Sequence, residues 1–210
     1  SELLRLNRMI SNLTDLARLE HHSSANTVVS IDIKELLSSV AANLSGLSQA
    51  QGQTVAIEVA DPLPFVLGSR DRIIQVVTNL LTNAIKFTPD GGRIVLGARP
   101  IAQEPETDYG DLGPLVPPSE FLSPVQSHVS ETGLIEVSIQ DSGSGIPKEA
   151  LETIFAKFRQ SGTRSDRKAG LGLGLAISRH IVERHGGRIW AENVAGGGAV
   201  FKFTLPTLEE

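Results

Sequence analysis

Residues 79–89 read NLLTNAIKFTP, from Asn79 to Pro89, and extended back to Arg72 they give the segment RIIQVVTNLLTNAIK. At about 100° per residue the segment separates into two faces. Ile73, Val77, Leu80, Leu81 and Ala84 fall on one, while Arg72, Gln75, Asn79, Asn83 and Lys86 form a stripe on the other. The spacing predicts an amphipathic helix that Pro89 brings to a stop. A polar stripe ordinarily meets water, but asparagine is a mediocre helix former, and Glu, Lys or Gln fill a solvated face more readily. Two carboxamides four residues apart therefore leave two readings open, a solvated face and a face that binds something.

The 210-residue chain is 40% hydrophobic, enough for one good core or a core with an appendage. No apolar run approaches the roughly 20 residues of a membrane span, and no basic-then-apolar signal segment opens the sequence. The expectation is a cytoplasmic portion with no membrane contact of its own, any anchor lying outside it. The absence of cysteine excludes a disulfide framework and Cys-ligated metal or iron–sulfur sites. A net charge of −5 with a pI near 5.6 leaves no electrostatic footprint for nucleic acid, and one Trp and one Tyr make no base-stacking platform. No His/Asp/Glu cluster suggests a protein-ligated transition metal.

Along the chain, SELLRLNRMISNLTDLARLE places Leu3, Leu6, Ile10, Leu13 and Ala17 at alternating spacings of three and four, a bundle or coiled-coil seam. Such a helix cannot bury its stripe alone and needs a partner. Residues 23–30 read as a linker, SIDIKELLSSVAANLSGLSQAQG as a capped amphipathic helix, TVAIEVA as a strand and DPLPFVLGS as a turn. Behind the Asn79 helix come the strands RIVLGAR and GLIEVSIQ, separated by a Pro-rich, acidic stretch at 100–132 without Lys or Arg. Loops of that length are uncommon inside a compact domain, and the expectation is disorder or loose packing. The remainder alternates glycine loops with regular elements: DSGSGIPKEALETIFAKF, the basic loop RQSGTRSDRK, the glycine-opened helix AGLGLGLAISRHIVERHGG, then RIWAENV and GGAVFKFTL as strands joined by an Ala195–Gly198 turn. The mixed order of helices and strands implies an α+β fold.

Two further motifs carry chemistry. Asp141-Ser142-Gly143-Ser144-Gly145 follows directly on a strand, so a carboxylate stands at the strand's exit among small residues. A ligand's flat face fits there, and so does a plain tight turn closed by an Asp hydrogen bond. Gly170, Gly172 and Gly174 open the helix LGLAISRHIVERH, where free N–H groups and the helix dipole favour an anion. The chain lacks GxxxxGK[ST], and no strand precedes this GxGxG as a Rossmann unit requires.

The combination is more specific than its parts. In order, NLLTNAIKFTP, DSGSGIP, IFAKF and GLGLGLAI, with IVERHGGRI and VFKFTLP behind, resemble the ATP-binding domain of sensor histidine kinases, within the GHKL group that includes gyrase, Hsp90 and MutL. The resemblance covers Val55 to Pro206, and residues 1–22 resemble the second helix of the kinases' dimerisation hairpin. It implies a two-layer α/β sandwich, a mixed sheet packed on helices, as the catalytic domain at 31–208. It also implies MgATP as substrate and metal, with Asn83 as the Mg²⁺ ligand, Asn79 on the same face near the γ-phosphate and Lys86 on a phosphate. Asp141 would accept from the adenine amino group, Gly143 and Gly145 would let the ring pack close, and Ile146 would line the pocket. Leu173 and Thr204 join the nucleotide-binding set, and Gly170, Gly172 and Gly174 would cradle phosphates. Phe155 and Phe158 look like the F box or, equally, core aromatics. Arg159, Arg164, Arg167 and Lys168 lie on the expected ATP lid, either solvated or neutralising the triphosphate.

Where ATPase members of the group carry a glutamate, Asn79 is an amide without useful basicity. The resemblance thus implies phosphoryl transfer to a histidine, for onward transfer to a response regulator, in a homodimeric full-length kinase. A GHKL ATPase and a non-catalytic nucleotide-binding module are the alternatives. Leu171 stands where the kinases usually have Thr or Ser. No segment resembles the acceptor motif, a His followed by an acid and a basic-Thr-Pro run. His21 and His22 lack that context, and His128, His180 and His185 read as ordinary. The acceptor is expected on the upstream dimerisation helix. Limited proteolysis should cut first within 100–132 and leave the flanking domain intact; protection of that stretch equal to the core's would overturn the disorder reading.

Overall fold

The computed structural model describes residues 28–101, 133–151, 153–156 and 172–208. The expected dimerisation helix at 1–22, most of the linker, residues 102–132 and the expected lid lie outside the described residues.

The Asn79 helix forms as the spacing predicts, here α2 (Arg70–Phe87). Its stripe Ile73, Val76, Val77, Leu80, Leu81, Ala84 and Ile85 is buried throughout, none more than 4% exposed. Pro89 disfavours helical backbone at the residue before it, and Thr88 is accordingly extended, with φ −77° and ψ 130°. The Thr88 hydroxyl donates to the Ala84 carbonyl at 2.7 Å. Gln53 Nε2 reaches across to donate to the carbonyls of Ile85 and Thr88 at 3.0 and 2.7 Å, supplying partners for acceptors that a helix end leaves open. The preceding helix, α1 (Ile33–Gln49), starts under Asp32, whose carboxylate accepts from the Glu35 N–H at 3.0 Å. It buries Ile33, Leu36, Leu37 and Val40.

Seven strands accompany these helices among the described residues: β1 (Val29–Ile31), β2 (Thr54–Val59), β3 (Val66–Gly68), β4 (Arg93–Ile101), β5 (Leu134–Asp141), β6 (Ile189–Asn193) and β7 (Ala199–Pro206). Five make one sheet in the order β2-β4-β5-β7-β6. β2 and β4 run parallel, with α2 in the crossover between them, and every other neighbour is antiparallel. Alternate residues Ile94, Leu96 and Ala98, then Ile135, Val137 and Ile139, then Phe201, Phe203 and Leu205 are buried. They form one face of the sheet, as period-two patterning demands. The helices cover it: α2 packs between α1 and α4 (Gly174–Arg184). A one-turn helix, α3 (Lys148–Leu151), follows the Asp141 loop. The result is the expected α+β architecture, a mixed sheet on one layer and helices on the other.

Two expectations change. DPLPFVLGS is not only a turn, since Val66–Gly68 pairs antiparallel with Val29–Ile31 as a two-stranded ribbon. Three residues per strand show too little alternation to be read, and the pairing partner lies more than thirty residues away. The stretch beginning at Pro100 is also ordered for its first two residues, because β4 continues through Pro100 and Ile101, opposite Ile135 and Leu134. β2 ends at Val59, opposite Ala98, so among the described residues no strand pairs with Pro100 on that side, where a missing N–H is tolerated.

The two central helices are latched at the far end from the asparagines. Ser69, the N-cap of α2, makes no side-chain cap bond; its N–H instead donates to His185 Nε2 at 3.1 Å, while His185 Nδ1 stands 2.7 Å from the Ile181 carbonyl. A neutral ring with its proton on Nδ1 satisfies both contacts. Burial holds this imidazole below its ordinary range, opposed by the hydrogen bond to Ile181 and assisted by the Arg184 charge. The unfolded chain therefore binds the extra proton first, so the stabilisation is complete above about pH 6.5 and is lost as pH falls through the lower folded value. Thermal unfolding should show a midpoint that falls more steeply from about pH 7.5 to about 5.5 in the native protein than in His185→Gln. Parallel profiles would contradict the latch.

Candidate functional site

Three surfaces meet at one end of the sheet. The first is the exit of β5. Asp141 is 5% exposed, and its Oδ1 accepts from the backbone N–H groups of Gly143 at 2.8 Å and Ala199 at 3.3 Å. The tight Asp turn therefore exists, but it uses one oxygen only. Among the described residues Oδ2 makes no hydrogen bond. A Cβ on Gly143 would strike the Phe87 carbonyl oxygen and stand 2.8 Å from Asp141 Oδ1. The loop lies that closely against the last turn of α2. Gly145 has φ +76°, and a Cβ there would stand 2.8 Å from Asn193 Oδ1. Ile146 is half-buried against the core.

The second surface is the polar stripe of α2. Asn79 and Asn83 are half-buried and Lys86 is exposed. Asn79 Nδ2 donates to the Gly174 carbonyl at 3.4 Å and lies 3.5 Å from Ser178 Oγ. The Asn83 carboxamide, one turn on, makes no hydrogen bond among the described residues. Lys86 Nζ rests 4.5 Å from the centroid of the Phe87 ring, which is itself 46% exposed. Contacts of this kind at exposed sites contribute only about 0.5–1 kcal/mol, so the ammonium is easily drawn elsewhere.

The third surface is the start of α4. Gly172 has φ +67°, a left-handed turn that only glycine enters without strain, and Gly174 begins the helix directly against Asn79, whose Cγ would be 3.7 Å from a Cβ there. The first N–H groups of α4 have no partner within their own helix. Leu173, by contrast, is 1% exposed, and its side chain belongs to the core. Phe155 is also a core aromatic, edge-on to Phe201 with ring centroids 6.3 Å apart.

Thr204 does not join this group. It lies five residues along β7 from Ala199, roughly 17 Å away, where its hydroxyl accepts from the Arg188 N–H at 2.9 Å. It secures the turn into β6 at the opposite end of the sheet. Phe158, Arg159, Arg164, Arg167, Lys168, Gly170 and Leu171 lie outside the described residues, as do His21, His22 and His128. Two residues of the site were missed. Gln53 holds the end of α2, and Asn193 holds the Ile146 backbone through N–H to Oδ1 and Nδ2 to carbonyl contacts of 2.7 Å each. Neither lies in a recognisable motif.

The arrangement offers a carboxylate oxygen on a glycine-lined floor, a half-buried carboxamide wall and the N-terminus of a helix. Residues 68–209 match the family described as "Histidine kinase-, DNA gyrase B-, and HSP90-like ATPase". The chain belongs to that family.

Its relatives include the adaptive-response sensory kinase SasA of Synechococcus elongatus, 30% identical over 98% of this chain and 46% of that protein. The sensor histidine kinase WalK of Bacillus subtilis is 28% identical over the whole of this chain and 30% of its own length. The chain thus spans about half of SasA and less of WalK. Among solved structures, full-length ShkA in complex with AMPPNP superposes with a TM-score of 0.72 at 27% identity, over 98% of this chain and 36% of that one. The catalytic domain of the histidine kinase ThkA gives 0.63 at 28% identity, over 86% of this chain and 97% of that one. Among the described residues no helix is long and apolar enough to cross a membrane.

Close packing of Gly143 on α2 has a direct consequence. Gly143→Ala should lower unfolding stability by about 1–3 kcal/mol through overpacking. Gly46→Ala, on α1 with nothing within 4 Å of an added Cβ, should be neutral or stabilising. Urea titrations of both would check this, and unchanged stability in Gly143→Ala would show that the loop is not held against the helix.

Proposed function

We propose that this chain is the nucleotide-binding, phosphoryl-donating portion of a sensor histidine kinase. It transfers the γ-phosphoryl of MgATP to a histidine on a dimerisation helix, from which a response regulator is charged, and it does so as the cytoplasmic part of a homodimer. The observation that carries this reading is the meeting of Asn79 with the first residue of α4, on the same helix whose end packs on the Asp141 loop. The names of the relatives, and the AMPPNP bound to ShkA, agree with it.

The residues present suit a magnesium nucleotide. No group of three or more His, Cys, Asp or Glu among the described residues could cage a metal, whereas Mg²⁺ is commonly held by one or two protein oxygens together with substrate phosphates and water. Asn83 presents a half-buried carboxamide that the described protein leaves unpartnered, and its oxygen would be that ligand. When bound, the ion neutralises charge on the transferring phosphoryl group. Asp141 Oδ2 can accept from an exocyclic amino group. Lys86 turns from Phe87 to a phosphate, and the opening N–H groups of α4, with Gly172 and Gly174, face the phosphate chain. Asn79 spends its amide donor on Gly174 and Ser178 and has no basic atom. It orients α4 rather than activating water, so transfer to a nucleophile is favoured over hydrolysis. A neutral imidazole needs little help from a base, and the protein's contribution is alignment.

Calorimetry with ATP tests the reading. Asn83→Ala should weaken binding at least about tenfold in Mg²⁺, and in excess EDTA it should match the native protein. Equal affinity in Mg²⁺ would remove Asn83 from the metal site. The chain alone should incorporate no acid-labile phosphate from ATP; incorporation would place the acceptor within it.

A further inference from the structure

The loop from Asp141 to Ile146, which on the proposed reading carries the base-binding side chains, contains two glycines and leaves the sheet after Asp141. Such a segment has a large choice of backbone conformations to lose when a ligand orders it. Both of its ends are held by the β6–β7 hairpin. At the start, the Ala199 N–H donates to Asp141 Oδ1, and Gly198, at φ +89°, stands so near the Asp141 carbonyl oxygen that a Cβ would collide with it. At the end, Asn193 treats Ile146 as a neighbouring strand would. Its Oδ1 accepts from the Ile146 N–H and its Nδ2 donates to the Ile146 carbonyl, both at 2.7 Å. A carboxamide is suited to this because donor and acceptor lie side by side. Gly145 passes beneath it where an added Cβ would be 2.8 Å from Oδ1.

We propose that Asn193 is a positioning residue for the nucleotide base: by clamping the Ile146 backbone it fixes the separation of Ile146 from Asp141 before the ligand arrives. The proposal rests on the nucleotide-site reading above and adds a residue to it. Asn193 is exposed and lies outside the core, so its removal should change global stability little. Its effect should fall on the order of one loop.

The test uses the full chain, with calorimetric titration of ATP and of ADP in Mg²⁺ and hydrogen exchange at backbone amides. Asn193→Ala should weaken both nucleotides by a similar factor, about tenfold. The Ile146 amide should lose protection while Ile139 and Phe201 in the sheet keep theirs. Asn193→Asp keeps the side-chain size but cannot donate to the Ile146 carbonyl, and it should weaken both nucleotides as well. Native affinity in Asn193→Ala despite an unprotected Ile146 would overturn the proposal, as would a loss confined to ATP, which belongs to the phosphate end. Failure of the native protein to bind either nucleotide would overturn the proposal together with the reading beneath it.

Discussion

The Asp141 turn lies against the last turn of α2 at a distance that admits no side chain, and most of the site follows from that contact. Gly143 meets the Phe87 carbonyl there, and Gly92 is enclosed between Thr88 Cγ2 and Ser142 Oγ. Ser142 Oγ in turn accepts from the Arg93 N–H at 2.9 Å, fastening the start of β4 to the same loop. The helix must therefore end where Pro89 ends it, and Gln53 and the Thr88 hydroxyl satisfy the carbonyls left behind. Once the end of α2 is located on the sheet, Asn83 and Asn79 are located as well, one and two turns back along a rigid rod.

That rod has two duties divided by its own period. The residues that bury against the sheet fill the core, and those on the other face meet α4 and the site. Neither duty can shift without the other, because a rotation that moved the asparagines would also expose Leu80 or Val77. At the remote end the His185 bond to Ser69 keeps α4 and α2 in register. The two walls of the site are thus joined at Asn79 and again at Ser69, some ten residues apart on α2. Packing sets the geometry, and the polar groups inherit it.

Much of this was legible in the sequence because the signals were local. The period of RIIQVVTNLLTNAIK, the Pro89 stop, the capped start of the helix before it and the strands TVAIEVA and GLIEVSIQ each reside within one element, and each has its counterpart in the fold. What escaped was non-local. The β1–β3 ribbon joins two three-residue strands distant in sequence, and Asn193 and Gln53 act on backbone far along the chain. Thr204 followed from resemblance alone, and strand register carries it to the wrong end of the sheet. The glycines of the Asp141 loop were read for ligand approach, and the structure adds a second reason for them in the protein's own backbone.

On the proposed function, the carboxamide face of α2, the Asp141 loop and the start of α4 form a single nucleotide site. Backbone-amide NMR during titration with Mg²⁺ and a non-hydrolysable ATP analogue tests it most directly. Asn79, Asn83, Gly143, Ile146 and Gly174 should shift together with one dissociation constant, while Trp190 and Thr204 stay in place. Shifts that leave Asn83 and Gly143 untouched, or that follow different dissociation constants on the helix and the loop, would contradict it.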